Sequence, residues 1–497
     1  MKLKFLVIFT IWISLPKSKA FIRQPRDDDP ICKEICNIIW EEVPRAFDYT
    51  PPVKDRYWSR FQSDILPGCI VYPVDAVDVA SILKILTANS CMFAVRAGGT
   101  SPWAGASTIT GGTSIDLERL IKLEVAATND PPAVVVGAGN RWADVYRTLD
   151  SLNLSVAGTR NGSPGVSGSV LGGGISFFSQ HRGWSCDDIL LFEIVLANGT
   201  ITEVTHSSEP DLYWALRGGG NNFGIVTQMT IATFERPLSY YSFNQWNWAA
   251  RRSIFQALEK DTENMPDGIS MIATTIAWHP YSRQFVISER YIADAETTYT
   301  STVYRDSKPE QQSGYWKSTL AMAEKMDRMN PDGYFNLFGS MTVHNDAGVF
   351  VKIADVFRKT MSNATTADDI EIYTVFNPLT GPAISKMQKR GGNALGISPE
   401  DGPLVERSKD AAKEHGRYHR FIFQNHAFEE EDVFGSYGRE NLRRLRQIRQ
   451  KVDPEGVFQI LQPGYFKLGF EPNSVDEDSG TSQCNKGIEE ILVKSEL

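Results

Sequence analysis

The residues with the most capacity for chemistry run Arg96-Ala97-Gly98-Gly99-Thr100-Ser101-Pro102-Trp103-Ala104-Gly105. Adjacent glycines at 98 and 99 lack β-carbons and tolerate positive φ, so consecutive backbone N–H groups can converge on one anion. Thr100 and Ser101 add hydroxyl donors, and Arg96 adds a cation. Together they can cradle a pyrophosphate. Taken alone, the loop would read better as a turn of small residues between strands.

It does not stand alone. Gly158 to Gly174 holds seven glycines in seventeen residues, too many for a packed element, and backbone this bare allows close approach to a ligand. A third cluster runs Arg217-Gly218-Gly219-Gly220-Asn221-Asn222-Phe223-Gly224. Three clusters, each at the end of a strand-like run, point to one long ligand touching several loops of a single domain. Other chemistries fall away. No Gly-x-Gly-x-x-Gly opens a helix after a strand, and there is no Walker loop, Gly-x-Ser-x-Gly elbow or His-Glu-x-x-His. His415 and His419 are four apart in a strand-like stretch, where that spacing gives no shared metal face, so no metal site is expected.

The elements that must position these loops follow from periodicity. Cys69–Tyr72 reads as a strand ended by Pro73, Asp75 caps an amphipathic helix to Leu86, and Phe93–Val95 is a second strand opening into the glycine loop, a β-α-β unit. Strands follow at Gly112–Leu117 and Ala133–Gly139, then a helix at Arg141–Leu149. Ile189–Ala197 and Thr200–Val204 read as a hairpin across Asn198-Gly199, a type I′ turn signal. A short helix at Asp211–Leu216 and a strand at Ile225–Ile231 close the region. Beyond Pro237, strand-like runs (Phe285–Ile287, Ile372–Phe376) and a helical one (Tyr315–Met329) suggest an α+β domain with an antiparallel sheet. Tyr418–His426 reads as a further strand and Gly438–Lys451 as a helix, with Arg443 to Arg449 on its wet face. No internal repeat is visible.

At 497 residues the chain exceeds one core, so two or three domains are expected. A net charge of -9 and no basic stripe argue against a nucleic-acid partner. Lys2 and Lys4, the apolar run Phe5 to Leu15, and Ser18-Lys19-Ala20 form the pattern of a secretory signal peptide. A membrane span needs roughly 20 apolar residues, and no later stretch is long enough. The expectation is the secretory pathway, secreted or in a vesicular lumen. One disulfide joining the Cys32/Cys36 segment to Cys91 suits that route, while Cys69 and Cys186 read equally as buried free thiols. Asn153, Asn198 and Asn363 open glycosylation sequons; Asn161 opens another that its place in the glycine block should keep silent.

These residues carry a resemblance. Ile65 to about Pro237 resembles the FAD-binding domain of the vanillyl-alcohol-oxidase (PCMH-type) flavoprotein superfamily, through Arg96-Ala97-Gly98-Gly99, the block ending Gly172-Gly173-Gly174, and Asp211 through Thr227. Asp453-Pro454 through Phe458, then Pro463 to Leu468, resembles the berberine-bridge-enzyme-like C-terminal segment of the same family. The organisation this implies is α+β: a signal peptide 1–20, an arm 21–64, a two-part PCMH-type FAD-binding domain 65–237 and a substrate domain 238–420. A C-terminal segment 421–470 returns to the FAD domain before a disordered tail 471–497. The resemblance implies that Arg96, Gly98, Gly99, Thr100 and Ser101, with Gly158, Ser163, Val166, Gly168, Gly172 and Gly173, hold FAD by its pyrophosphate and ribityl chain, Arg96 in a structural or phosphate role. Ile225 and Val226 would offer backbone partners. Relatives oxidise alcohols, sugars or amine-containing natural products and pass electrons to molecular oxygen, which implies a small-molecule substrate and a tailoring or carbohydrate-oxidising step.

Three departures shape the expected chemistry. The family's flavin-bonding histidine is replaced by Thr100, and the cysteine of doubly tethered members falls at Ser163, so bound FAD should be dissociable. Where the family shows Tyr-x-Asn-Tyr, this chain has Phe423-Gln424-Asn425-His426. Asn425 is the matching member, and His426 is the natural replacement acid or base, since imidazole titrates near neutrality; a histidine merely held by backbone is the plainer reading. Tyr418, His419, Tyr334 and Tyr465 are further candidates, and Trp103 reads as packing. An FAD oxidase or dehydrogenase is the leading reading. A non-redox isomerase or cyclase on the same fold is the alternative, with a catalytically inactive binding protein third.

Overall fold

The structure, a computed structural model, describes residues 30–47, 57–126, 131–236, 238–265, 268–279, 282, 284–294, 308–362, 372–406 and 417–469. The residues expected to form a signal peptide, Pro51-Pro52, the Asn363 sequon, His415 and the tail with Cys484 lie outside them.

The first sheet is parallel, with Thr113–Asp116 between Cys69–Val71 and Phe93–Arg96. The helix Ala76–Ala88 crosses between the outer strands, capped by Asp75, whose Oδ1 accepts from the Asp78 N–H at 2.9 Å. Its Val79, Ile82, Leu83 and Leu86 repeat at helical spacing and are buried against the sheet. The helix Pro30–Glu42 covers the same core through Ile35 and Ile39. Two disulfides tie it down, Cys32–Cys91 and Cys36–Cys69. Cys69 is therefore bridged, not a free thiol: Cys32 and Cys36 lie four apart on one helix face, so both reach the sheet. Cys186 is a buried free thiol.

A second, antiparallel sheet runs Leu123–Ala126, Ala133–Gly137, Ile225–Ala232, Ile189–Val195, Ile201–Val204. Its last hairpin is not the expected two-residue type I′ turn. The Leu196 N–H donates to the Thr200 carbonyl at 2.9 Å and only Gly199 has positive φ (77°), so the loop has three residues with a left-handed glycine last.

The middle region forms a five-stranded antiparallel sheet, Gln311–Lys317, Ser239–Asn247, Gln284–Ala293, Ile269–His279, Ile372–Phe376. Along Ile269–His279, Ile272 and Ile276 face the helices Arg251–Glu263 and Ala347–Ser362, while Met271 and Ala273 face the core shared with the glycine-rich region. Tyr315-Trp316-Lys317, expected in a helix, are strand, because Ser239–Asn247, remote in sequence, pairs with them (Tyr240 opposite Trp316). The helix is Thr319–Asp327, capped by Ser318. Tyr418–His426 is likewise a strand only at Tyr418–His419, and Gln424–His426 form a 3-10 turn. Phe421, Ile422 and Phe423 are all buried, which a half-exposed strand cannot arrange.

The helix Arg439–Val452 exposes Arg443 and Arg446 but turns Arg449 inward. Asp453 then caps Val457–Ile460, accepting from Val457 N–H at 2.7 Å and Phe458 N–H at 3.0 Å. The Leu461 carbonyl takes the Phe93 N–H (2.7 Å), and Asn222 bonds the backbone of Phe466 and Leu468 (both 3.2 Å). The C-terminal segment thus returns to the first sheet and the third glycine cluster. Among the described residues no helix is long and apolar enough to cross a membrane, and no cluster of three metal-ligating side chains occurs.

Candidate active site

The loop Ala97–Gly105 leaves the C-terminal end of Phe93–Arg96, and the block Gly158–Gly174 lies against it. A β-carbon on Gly98 would sit 2.1 Å from Gly165 N, so the two loops touch backbone to backbone. Gly99 adopts φ 66°, the conformation the adjacent glycines were expected to supply. A cavity of about 280 Å³ opens at this contact. Eight expected cofactor residues line it: Gly98, Gly99, Thr100, Ser101, Ser163, Gly168, Ile225 and Val226.

The other five do not. Arg96 lies under the loop, paired with Asp116 and, at 3.1 Å, Glu118. Burial works to lower its pKa, but the carboxylates outweigh that and hold it above the ordinary value. A β-carbon at Gly158 would fall 2.3 Å from both the Trp142 ring and the Tyr146 hydroxyl, so this glycine makes room for a helix. Val166 is core. Gly172 admits the side chain of Asn425, whose Oδ1 would lie 1.7 Å from an added β-carbon, and Gly173 faces Trp184.

The donor set along the wall suits a nucleotide. Among the described residues, the N–H groups of Gly98, Gly99, Thr100 and Ser101 have no acceptor in the protein. Gln462 lines the same cavity with a buried Oε1 that accepts no bond. Buried polar groups are costly unless paired, and a diphosphate with a polar ring system would pair them. These residues fit FAD.

The rest of the cavity is aromatic. His426 lies against Phe338 (ring centroids 5.2 Å) and Phe423 (4.8 Å). Trp58 stacks on Phe338 at 5.2 Å and 22°. Trp58 also donates its N–H to the Gly99 carbonyl (3.0 Å) and its indole N–H to the Asn330 carbonyl (3.2 Å), joining the glycine loop to the middle region. Asn425 donates to the Ser169 carbonyl at 2.9 Å, and the Tyr465 hydroxyl donates to the Gln424 carbonyl at 3.2 Å. Burial pushes the Tyr465 phenol up, so it keeps its proton.

Of the remaining candidates, His419 pairs with Asp401 at 3.2 Å away from the cavity, its imidazole lowered by burial. Tyr418 and Tyr334 also lie off its wall. Asp327 accepts from Gly162 and Ser163 behind the glycine block, and Asn161 donates to it at 3.3 Å. Sequence reasoning missed Trp58, Arg160, Asp327, Asn330, Phe338 and Gln462.

The FAD binding domain family matches residues 67–205, and the berberine and berberine-like family matches residues 423–463. The FAD-dependent monooxygenase tpcD of Cochliobolus heterostrophus is 31% identical over 462 residues, covering 84% of this chain and 88% of that protein. The FAD-dependent monooxygenase FUP4 of Fusarium proliferatum is 31% identical over 458 residues, covering 83% and 87%. Among solved structures, xylooligosaccharide oxidase from Myceliophthora thermophila C1, in complex with xylobiose, superposes with TM-score 0.68 at 20% identity, covering 88% of this chain and 100% of that one. The 6-hydroxy-D-nicotine oxidase of Arthrobacter nicotinovorans gives TM-score 0.67 at 18% identity, covering 82% and 95%. At such identities the structural likeness speaks to the fold.

Proposed function

The chain belongs to the FAD-dependent oxidoreductases that join an FAD binding domain to a berberine-like segment, and from that premise we propose that it holds FAD without a covalent bond and oxidises a small organic substrate in a natural-product tailoring step. The observation that carries the reading is Thr100, on the cavity wall beside the row of unpaired N–H groups, where it offers flavin no imidazole. Residues 158–174 likewise contain neither cysteine nor histidine.

Bound FAD supplies the two-electron redox chemistry that amino-acid side chains lack. The chain's own residues bind and orient. The 98–101 N–H groups and Gln462 Oε1 are placed to pair the cofactor's polar atoms. Trp58, Phe338 and Phe423 keep water from the reacting face. With the Tyr465 hydroxyl held protonated, His426 is the side chain on the wall suited to exchange a proton with substrate.

Molecular oxygen is the proposed electron acceptor, and the fungal relatives named monooxygenases favour net redox over the isomerase alternative. The leader sequence and the two disulfides support entry into the secretory pathway. Oxygen uptake by FAD-loaded protein, in step with product, tests the reaction. Product formed under air without oxygen uptake would move it to the proton-transfer class.

A further inference from the structure

The arm that precedes the first sheet meets the 98–101 loop at two carbonyls. The Trp58 N–H donates to the Gly99 carbonyl at 3.0 Å, and Gln62 Nε2 donates to the Ser101 carbonyl at 2.5 Å. Gln62 is fully buried, and its amide fits only one way round. Its Oε1 accepts the Ser107 N–H (2.8 Å) and the Ser107 hydroxyl (2.6 Å), which leaves Nε2 for Ser101. The middle region holds the arm in turn. The Gly333 N–H and Asn336 Nδ2 donate to the Trp58 carbonyl (3.1 and 3.2 Å), and the Arg60 N–H donates to the Tyr334 carbonyl (2.8 Å).

What these bonds do to the loop follows from the planar peptide. In a trans peptide the carbonyl and the next N–H point in opposite directions. With the Gly99 carbonyl turned to the arm, the Thr100 N–H points away from it. Thr100 lines the cavity, and among the described residues that N–H has no acceptor. Ser101 is followed by Pro102, which has no N–H, so the peptide between them has only an oxygen to offer. Turned into the cavity, that oxygen would repel a phosphate. Gln62 takes it instead. The arm thus draws off two carbonyl oxygens and leaves donors on the loop's other side.

We propose that Gln62, together with the Trp58 N–H, is a positioning residue for the cofactor's diphosphate, holding the Ser101 and Gly99 carbonyls aside so that the loop turns N–H groups, not oxygens, toward it. The proposal rests on the FAD reading above. It gives the N-terminal arm a share in the grip on the cofactor, although Trp58 and Gln62 lie outside the 67–205 span that the FAD binding domain family matches. Gln62 itself does not line the cavity, so it acts through the loop.

The test uses the full-length protein freed of flavin. Binding of FAD and of riboflavin is read by quenching of their fluorescence, and binding of ADP by displacement of FAD. Gln62→Glu keeps an acceptor for Ser107 but sets a carboxylate oxygen against the Ser101 carbonyl, and Gln62→Met keeps the volume and loses both bonds. In each variant FAD and ADP should bind about tenfold or more weaker. Riboflavin, which has the ring and ribityl chain without phosphate, should stay within about twofold of its affinity for the unmodified protein. The proposal is overturned if both variants keep FAD and ADP within about twofold, or if ADP fails to displace FAD from the unmodified protein. It is also overturned if riboflavin weakens as far as FAD, which would mark Gln62 as packing. Should neither variant fold, or riboflavin bind too weakly to compare, amide hydrogen exchange of the unmodified protein decides. ADP alone should slow exchange in peptides covering 58–63 and 98–107, as FAD does, and ADP that leaves the arm unchanged overturns the proposal. An unmodified protein that takes up no FAD contradicts the cofactor reading instead.

Discussion

Ser163 donates its hydroxyl hydrogen to Oδ1 of Asp327 at 2.9 Å. The same carboxylate accepts the Gly162 N–H at 3.1 Å and the Ser163 N–H at 3.2 Å. Asp327 ends the helix Thr319–Asp327 of the middle region, so a residue far along the chain holds a cavity-lining loop from behind. Where a covalent anchor would fix this loop from the cofactor's side, here the protein fixes it from its own.

Removing that carboxylate should therefore loosen the cofactor before it touches chemistry. Hydrogen bonds to a charged group are worth about 1.5–3 kcal/mol each, and Asp327→Ala leaves backbone donors unpaired. FAD affinity, read by quenching of flavin fluorescence, should fall about tenfold or more, with Asp327→Asn intermediate. An unchanged affinity in Asp327→Ala would show that the clamp is irrelevant to the cofactor.

Gly168 offers a sharper separation of folding from binding. It lies inside the short helix Val166–Leu171, and an added β-carbon meets no protein atom within 4 Å. Ala in a helix interior is favoured over Gly by about 1 kcal/mol, so Gly168→Ala should raise the melting temperature of the FAD-free protein. Because Gly168 also lines the cavity, the same methyl should weaken FAD. Equal or tighter FAD binding would mean that the cofactor does not lie over this helix. Gly98→Ala, by contrast, places a β-carbon 2.1 Å from Gly165 N and should lower stability by about 1–3 kcal/mol, FAD or no FAD.

Lys467 gives the protein a pH dependence of stability. Burial lowers its ammonium to about 7, against a smaller opposing pull from Asp453, and its Nζ lies 3.1 Å from Asn221 Oδ1. Between about 7 and the ordinary lysine range the unfolded chain binds the proton and the folded one does not. Stability gained from this group therefore rises with pH across that window, and below it the full cost of the buried charge persists. Thermal melts from neutral to mildly alkaline pH should show a rise that Lys467→Met flattens. A parallel slope in both proteins would refute the assignment.

The two disulfides span sequence separations of 33 and 59 residues. On the chain-entropy account each such loop stabilises by about 4 kcal/mol. Replacing Cys36 and Cys69 together with serine should cost a few kcal/mol in chemical denaturation. Peptide mapping without reductant should recover Cys32 with Cys91 and Cys36 with Cys69, and any other pairing would contradict the fold of the N-terminal helix.

How much of this was legible in the sequence follows from how local each constraint is. Gly99 announces itself because its left-handed conformation is set within the loop, and Asp75 caps its helix through a bond three residues away, whereas Gly98 answers to Gly165 of the other loop. Gly158 and Gly172 look the same in sequence yet yield to Trp142 and Asn425, partners visible only in three dimensions. Arg96 could be placed beside a phosphate only while Asp116 and Glu118 were not known to sit next to it. Tyr315 to Lys317 carry a pattern that suits a helix until Ser239–Asn247 pairs with them. The rest of the cavity wall includes Trp58, Asn330 and Phe338, remote in sequence from the glycine loops, so no spacing rule could have found it. Phe423, Asn425 and His426 line the cavity, from a turn where a strand was expected.

The central claim is a dissociable flavin gripped by bare backbone at Gly98 to Ser101. An absorbance spectrum of the protein with added FAD, repeated on supernatant and pellet after acid precipitation, tests it most directly. The account predicts flavin bands in the folded protein and all of the flavin in the acid supernatant. Yellow colour retained in the precipitate, or no flavin taken up at all, would contradict it.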